Sequence, residues 1–144
     1  MRKRIALIVW GALAAAAAIA APALAHHGSA VSYDVDVAKL TTITGTVTQW
    51  VWRNPHCFIM FDVKDASGNV VPWTAETSST QSMQGEHGWS RTTLKTGDVV
   101  TVTVFPSRAG TPAGLLYKVV GADGKVLIED QSRLPRNQRP PQAQ

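Results

Sequence analysis

The residues of this chain that could do chemistry concentrate in one short stretch, Trp50-Val51-Trp52-Arg53-Asn54-Pro55-His56. Its two tryptophans are two positions apart, so both rings point to the same face if the chain is extended. The proline has no amide hydrogen and disfavours helix at the asparagine before it, which predicts a corner between two strands. His56 then stands at the start of the second strand. The same residues suit either a ligand site or a strand-to-strand corner with its tryptophans in the core.

A wider set of aromatic and polar residues could complete a pocket around this corner. Tryptophan faces combined with a few fixed polar groups are typical of small-molecule, sugar or peptide sites, and small barrels also use them to fill their interior. We expect two of the four tryptophans beyond residue 49 to be core, and Trp52 and Trp89 to suit the pocket best. The predicted ligand-binding residues are Trp52, Asn54, His56, Trp73, Glu76 and Trp89.

Catalysis is the weakest interpretation of these residues. Glu76 and His56 could form an acid–base pair. The sequence offers no Ser-His-Asp order, no pair of carboxylates at a known catalytic spacing and no phosphate-binding glycine loop. We therefore assign no catalytic residue, and the leading hypothesis is a non-enzymatic binding module for a small ligand or a protein partner.

The histidines suggest a different chemistry, metal binding. If the chain is cleaved after Ala25, His26 becomes the first residue, and its α-amine and imidazole could chelate one metal ion. His27, His56 or both could complete a nitrogen-rich set that suits Cu(II), although imidazole also accepts zinc, nickel or iron. The flexibility of a chain terminus opposes such a site. Copper binding through His26, His27 and His56 is therefore the alternative function.

The N-terminal segment predicts export. Met1 to Arg4 is basic, Ile5 to Ala20 is apolar, and Ala23-Leu24-Ala25 has the small residues of a signal-peptidase site. We expect cleavage near Ala25 and a periplasmic or secreted product of 119 residues, with no later span that could anchor it in a membrane. Residue 26 is not cysteine, so no lipid attachment site is expected there.

Charge and cysteine content exclude two further classes. Three of the 14 basic residues lie before residue 26 and all 10 acidic residues lie after it, so the formal charge of +4 falls to +1 on cleavage. A nucleic-acid-binding role therefore loses its electrostatic argument. Cys57 is the only cysteine, so the chain forms no internal disulfide. It lies in an apolar run and is expected to be a buried small side chain rather than a reactive thiol.

The elements that must position these residues are β-strands. Alternating and β-branched patterns predict strands at 40–52, 57–63, 70–77, 99–105, 115–120 and 125–129. Gly45 suggests a bulge or bend in the first strand, and residues 78–94 read as a short helix or irregular turn. This order is that of a mainly β, five- to six-stranded, partly open barrel of the oligonucleotide/oligosaccharide-binding (OB) type, with a small β-sandwich as the alternative. The long, bent first strand favours the barrel.

The predicted organisation is a single domain with flanking segments. We expect a signal peptide at 1–25, an irregular lead-in at 26–38, a barrel at 39–130 and a disordered tail rich in Pro, Arg and Gln at 131–144. The ordered motifs of the chain also resemble a known family. They are His26-His27-Gly28-Ser29, Thr44-Gly45-Thr46-Val47, Trp52-Arg53-Asn54-Pro55-His56, Trp73, Glu76, Gly88-Trp89-Ser90-Arg91, Leu94-Lys95-Thr96-Gly97-Asp98 and Asp123-Gly124-Lys125.

Over residues 26–130 this combination resembles the exported bacterial family known as domain of unknown function 6152. The resemblance implies a small exported β-barrel and no established activity.

Overall fold

The computed structural model describes residues 31–139. The predicted signal peptide, the candidate metal ligands His26 and His27, and residues 140–144 lie outside this part of the chain. The strands are β1 (Thr41–Val51), β2 (Phe58–Lys64), β3 (Val70–Glu76), β4 (Val99–Pro106), β5 (Ala113–Gly121) and β6 (Val126–Glu129), and the helix is α1 (Thr80–His87). Short 3-10 turns cover Val37–Lys39, Gln131–Arg133 and Arg136–Gln138.

The strands form an OB-like barrel, as the sequence predicts. Neighbouring strands follow the order β3-β2-β1-β4-β5-β6 and are antiparallel. A parallel pairing of β3 with β5, from Thr74–Ala113 to Glu76–Leu115, closes the first five strands into a barrel. Among the described strands, the sixth pairs only with β5 and is an addition at the edge. This closure rules out the sandwich alternative.

The first strand makes the closure possible because it serves two neighbours. Thr41 to Thr46 pair with β4, and Thr46 to Val51 pair with β2. Gly45 sits at the crossover, where a Cβ atom would lie 2.5 Å from the Asp62 carbonyl oxygen. The bulge itself lies three residues later, between Val47 and Gln49. Gly45 thus permits close approach of β1 and β2, while the bulge bends the strand.

The main core lies inside the barrel and follows the alternation of each strand. Phe61 and Ile59 of β2, Leu116 of β5 and Met83 of α1 are among its largest fully buried side chains. Helix α1 begins at an N-cap, Ser79, whose hydroxyl accepts from the Ser82 amide, and it ends at Gly88, which has a φ of 69°.

A second apolar cluster joins the barrel to the segments at either end of the described chain. Its buried members are Phe105, Leu115 and Leu134, and Tyr33, Val35, Val37, Leu40 and Tyr117 pack against it. Leu134 is only 8% exposed, and Arg139 donates to the carbonyls of Leu134 and Ser132. Leu134 therefore holds the segment after β6 to the barrel, whereas residues 135–139 are exposed.

Within residues 31–139, no helix is both long and apolar enough to cross a membrane.

Candidate functional site

The corner between β1 and β2 is held to the start of α1. The side-chain oxygen of Asn54 accepts from the Thr80 amide at 3.1 Å and from the Thr80 hydroxyl at 2.9 Å. The Asn54–Pro55 peptide bond is cis. Asn54 therefore anchors the corner to the helix, and His56 follows it at the mouth of β2.

A chain of three side chains then orients His56. Glu76, at the end of β3, presents Oε1 to Nδ1 of His56 and accepts a 2.6 Å hydrogen bond from the Tyr33 hydroxyl on Oε2. An ionised carboxylate only accepts hydrogen bonds, so Nδ1 carries a hydrogen and Nε2 is the remaining ring nitrogen. The Glu76 side chain is 18% exposed and that of His56 is 49% exposed. The result is an imidazole that is oriented by Glu76 and is half-exposed.

Tyr33 is a reliable donor in this chain. Burial, together with its hydrogen bond to the Glu76 carboxylate, raises the pKa of the Tyr33 hydroxyl well above its usual range. The hydroxyl therefore keeps its proton at any physiological pH. Arg133 acts in the opposite direction through its nearby charge. Its Nη2 donates to the Ser78 hydroxyl at 3.0 Å, and its Nε lies 2.9 Å from Oδ2 of Asp130.

Arg53 places a cation beside the same corner. Its guanidinium carbon lies 5.7 Å from the centre of the Phe58 ring, within the range of a cation–π contact. Phe58 pairs with Glu76 across β2 and β3, and it alternates with the buried Ile59, so both side chains belong to the outer face. Arg53 makes no ion pair with any residue of 31–139. Its charge is therefore available at the surface.

The tryptophans of the predicted pocket take different places. Trp89 is 3% exposed, and its indole N–H donates to the Leu127 carbonyl at 3.0 Å, so it belongs to the core. Trp73 stacks on Phe61 at 6.5 Å and packs against the core from its partly buried position. Neither ring joins His56.

Trp52 is partly buried against the main core. Its ring centre lies 5.6 Å from that of Trp50, which in turn meets Trp89 edge-on at 5.4 Å. The Trp50 indole N–H donates to the Ser90 carbonyl at 2.9 Å. These three rings contact one another in a row that runs from the corner into the core, and Trp52 is the outermost of them.

The structure thus brings together His56 and Glu76 of the predicted set. It adds Tyr33, which the sequence reasoning did not assign to the site. Tyr33 and Glu76 are 43 residues apart, and the lead-in reaches the barrel through a bridge between Tyr33 and Ser107. No spacing rule connects these positions, so only the fold reveals the contact.

The described residues contain no ready-made metal centre. Within 31–139, no group of three or more His, Cys, Asp or Glu side chains could hold a metal ion. Cys57 is fully buried, and this burial raises the pKa of its thiol. It therefore lacks the environment of a reactive cysteine.

Fold and site together define a small OB-like barrel with a fixed, accessible imidazole at the β1–β2 corner. Residues 14–117 match a family described as "Family of unknown function (DUF6152)". This match covers most of the chain, and the protein belongs to that family. No match was found among curated proteins or among solved structures. The family match ends within β5, so β6 and the turns that follow it lie beyond the matched residues.

Proposed function

We propose that the protein is an exported, non-enzymatic binding module whose ligand, a small molecule or a periplasmic partner, docks at the corner around His56. The observation that carries this proposal is the chain from Tyr33 through Glu76 to His56. This chain orients a half-exposed imidazole, and a fixed hydrogen-bonding group on a rigid scaffold is what a specific site requires. Export rests on the basic, apolar and small-residue pattern of residues 1–25.

The surroundings of His56 indicate what such a ligand would carry. OB-type barrels bind their ligands on the face of the second and third strands and on the flanking loops. Here that face ends in Phe58 and Glu76, and the flanking corner supplies Arg53. A carboxylate or phosphate suits the guanidinium, and an apolar portion suits the phenyl ring. A polar group on the ligand would complete the bonds of His56 Nε2.

The test is a titration of ¹⁵N-labelled mature protein, followed by NMR, with a fragment library containing carboxylates, phosphates, sugars and short peptides. We expect at least one fragment to shift the amide signals of residues 52–58 and 76–78 together. His56→Ala and Arg53→Gln should weaken its binding at least about tenfold, as expected for charged or buried hydrogen bonds at a site. Glu86→Gln, on the exposed face of α1, is the control and should leave binding unchanged.

Two results would count against this site. One is a library in which no fragment perturbs the corner. The other is loss of near-ultraviolet dichroism in both His56→Ala and Trp52→Ala, because that would identify these residues as parts of the core.

Metal binding is the second candidate, favoured by one feature of the same site. Histidines that bind metal commonly donate their other ring N–H to a carboxylate, and Glu76 stands in that relation to His56. His56 Nε2 could therefore serve as a ligand for copper or zinc, with His26 and His27 as the remaining nitrogen donors from the N-terminal sequence.

Calorimetric titration with Cu(II) tests this candidate on mature protein whose N-terminus has been verified by mass. Submicromolar binding that is lost in both His26→Ala and His56→Ala would support it. An extra residue placed before His26 should also abolish tight binding, because it removes the free amine next to the imidazole. Weak binding that none of these changes alters would exclude the metal site and leave the organic ligand.

A further inference from the structure

A concave surface lies on the outer face of the barrel, apart from the corner. It encloses about 500 Å³, and its walls come from β1, β2, the start of β3 and the start of β4. We call it the outer groove, and its side chains are Thr44, Thr46, Asp62, Lys64, Val70 and Val99. None of them belongs to the corner around His56. Its volume lies within the range of sites for small ligands.

Opposite charges stand side by side in this groove without being paired. Asp62 and Lys64 are two positions apart on β2 and alternate with Phe61 and Val63, which face the core, so both point outward. Neither side chain makes a hydrogen bond or an ion pair with any residue of 31–139. The groove therefore offers one free carboxylate and one free ammonium group.

Apolar side chains flank these two charges. Val70 pairs with Lys64 across β2 and β3, and it is 55% exposed. On the other side, Thr46 of β1 pairs with Asp62 and also with Val99 of β4. Val99 is 47% exposed. The Thr46 hydroxyl has no partner within 31–139, whereas that of Thr44 is bonded to Thr101. The groove thus combines two charges, one free hydroxyl and an apolar contact on either side.

We propose that the outer groove binds a dipeptide-sized zwitterion, with the ligand's ammonium group on Asp62 and its carboxylate on Lys64. The spacing selects the length. Residues two apart on a strand are separated by about 6.6 Å. An extended dipeptide separates its terminal nitrogen from its terminal carboxyl carbon by about 6 Å, whereas a free amino acid separates them by about 2.5 Å.

The same geometry assigns the rest of the ligand. With its ends on Asp62 and Lys64, the dipeptide lies along β2, and its ammonium end lies beside the free Thr46 hydroxyl, because Thr46 pairs with Asp62. Its side chains point to the two valines, which favours small apolar residues such as valine or alanine. This inference does not depend on the function proposed for the corner, since the two surfaces share no residue.

The experiment uses Val-Val as the probe and measures its affinity for the whole mature protein by NMR titration. We expect Val-Val to shift the amide signals of residues 44–46 and 62–64 and to bind more tightly than free valine. Asp62→Asn and Lys64→Gln should each weaken binding about threefold to tenfold, as for a partly exposed charged hydrogen bond. Glu86→Gln and Lys95→Gln make the same charge changes on exposed side chains outside the groove and should have no effect.

Blocked peptides separate the two ends of the ligand. N-acetyl-Val-Val lacks the ammonium group, so it should bind weakly and be insensitive to Asp62→Asn while remaining sensitive to Lys64→Gln. Val-Val-amide should show the reverse pattern. The proposal is overturned if Val-Val leaves these signals unmoved, if free valine binds equally well, or if the groove variants match the controls.

Discussion

Glu76 is the residue on which the candidate site depends. One carboxylate oxygen accepts from Tyr33 and the other faces His56, so the orientation of the imidazole is set by a residue that is itself held from the far side. This arrangement explains how a half-exposed histidine on a barrel edge can have a defined direction. A side chain with one contact would sample several rotamers instead.

Removing the Tyr33 hydroxyl tests this dependence. In Tyr33→Phe the Glu76 carboxylate loses a donor in a partly buried position, so we expect a loss of about 1–2 kcal/mol in the free energy of unfolding. The His56 ring should also gain mobility, which ¹⁵N relaxation of the imidazole nitrogens measures. Tyr117→Phe is a matched control, because its hydroxyl donates to Glu129 instead. An equally rigid His56 in both variants would contradict the positioning role of Tyr33.

At the scale of elements, β1 is the strand that links the two halves of the barrel, because it pairs with β2 along one half and with β4 along the other. Gly45 lies where these halves meet and has no room for a side chain. The corner that bears His56 follows at the end of the same strand. The path of β1 therefore determines both the closure of the barrel and the location of the site.

Gly45→Ala should destabilise the barrel. The new Cβ would lie 2.5 Å from the Asp62 carbonyl oxygen and 2.7 Å from a Phe61 ring carbon. The β2 backbone cannot move away without a cost in free energy, because it is paired in the sheet. We expect a loss of about 2–3 kcal/mol, measured by urea unfolding. Gly85→Ala is the matched control in α1, where a Cβ meets nothing within 4 Å. It should stabilise the protein by up to about 1 kcal/mol. Equal stability of the two variants would be inconsistent with close packing of β1 on β2.

The attachment of β6 to β5 should depend on pH. The Lys118 ammonium lies 2.9 Å from Glu129, and its hydrogen bond lowers the pKa of the Glu129 carboxyl below its ordinary value of 4.5. A depressed pKa means that the stabilisation is complete above this ordinary value and is lost as the pH falls through the folded-state pKa. At pH 7 the wild type should therefore exceed Glu129→Gln by about 0.5–1 kcal/mol.

This difference should shrink as the pH falls below 4.5, and urea unfolding at pH 7 and at one pH value below 4.5 measures it. Glu86→Gln, whose side chain makes no contact of this kind within 31–139, should track the wild type at both. A Glu129→Gln deficit that persists unchanged at low pH would show that packing, and not the charge, holds β6.

At the scale of the whole molecule, two apolar clusters stabilise the fold. The larger one fills the barrel, and the smaller one joins β4 and β5 to the lead-in and to the turn after β6. Tyr33 belongs to the smaller cluster through its ring and to the site through its hydroxyl. The flanking segments therefore help to build the site.

Leu134→Ala tests whether the C-terminal turns contribute to the fold. Leu134 is 8% exposed against Phe105 and Leu115, so truncation should cost about 2 kcal/mol, the lower end for a buried leucine. Arg136→Ala, on an exposed position in the same segment, should cost less than about 0.5 kcal/mol. Thermal and urea unfolding give both values. If the two variants are equally stable, residues 131–139 do not pack on the barrel.

What could be predicted from the sequence was the part governed by local pattern. Alternation and turn residues located all six strands within about two residues, since side-chain period and turn chemistry depend on near neighbours. The short helix in residues 78–94 followed from its cap residues in the same way. The OB-like order then followed from the sequence of elements, and the family resemblance agreed with it.

The sequence by itself determined the strands, the corner and the residue types gathered there, because these follow from local periodicity and from the proline. Only the tertiary structure decided which of those residues meet. Trp89 and Trp73 pack with the core. The Asn54 side chain accepts a hydrogen bond from the Thr80 amide, so it holds the start of α1. Packing of the lead-in on the barrel brings Tyr33 to Glu76 over 43 positions, and strand pairing places Val70 and Val99 on either side of Asp62 and Lys64. Contacts between distant segments depend on how the strands pair and where the chain ends pack, and no local pattern encodes them.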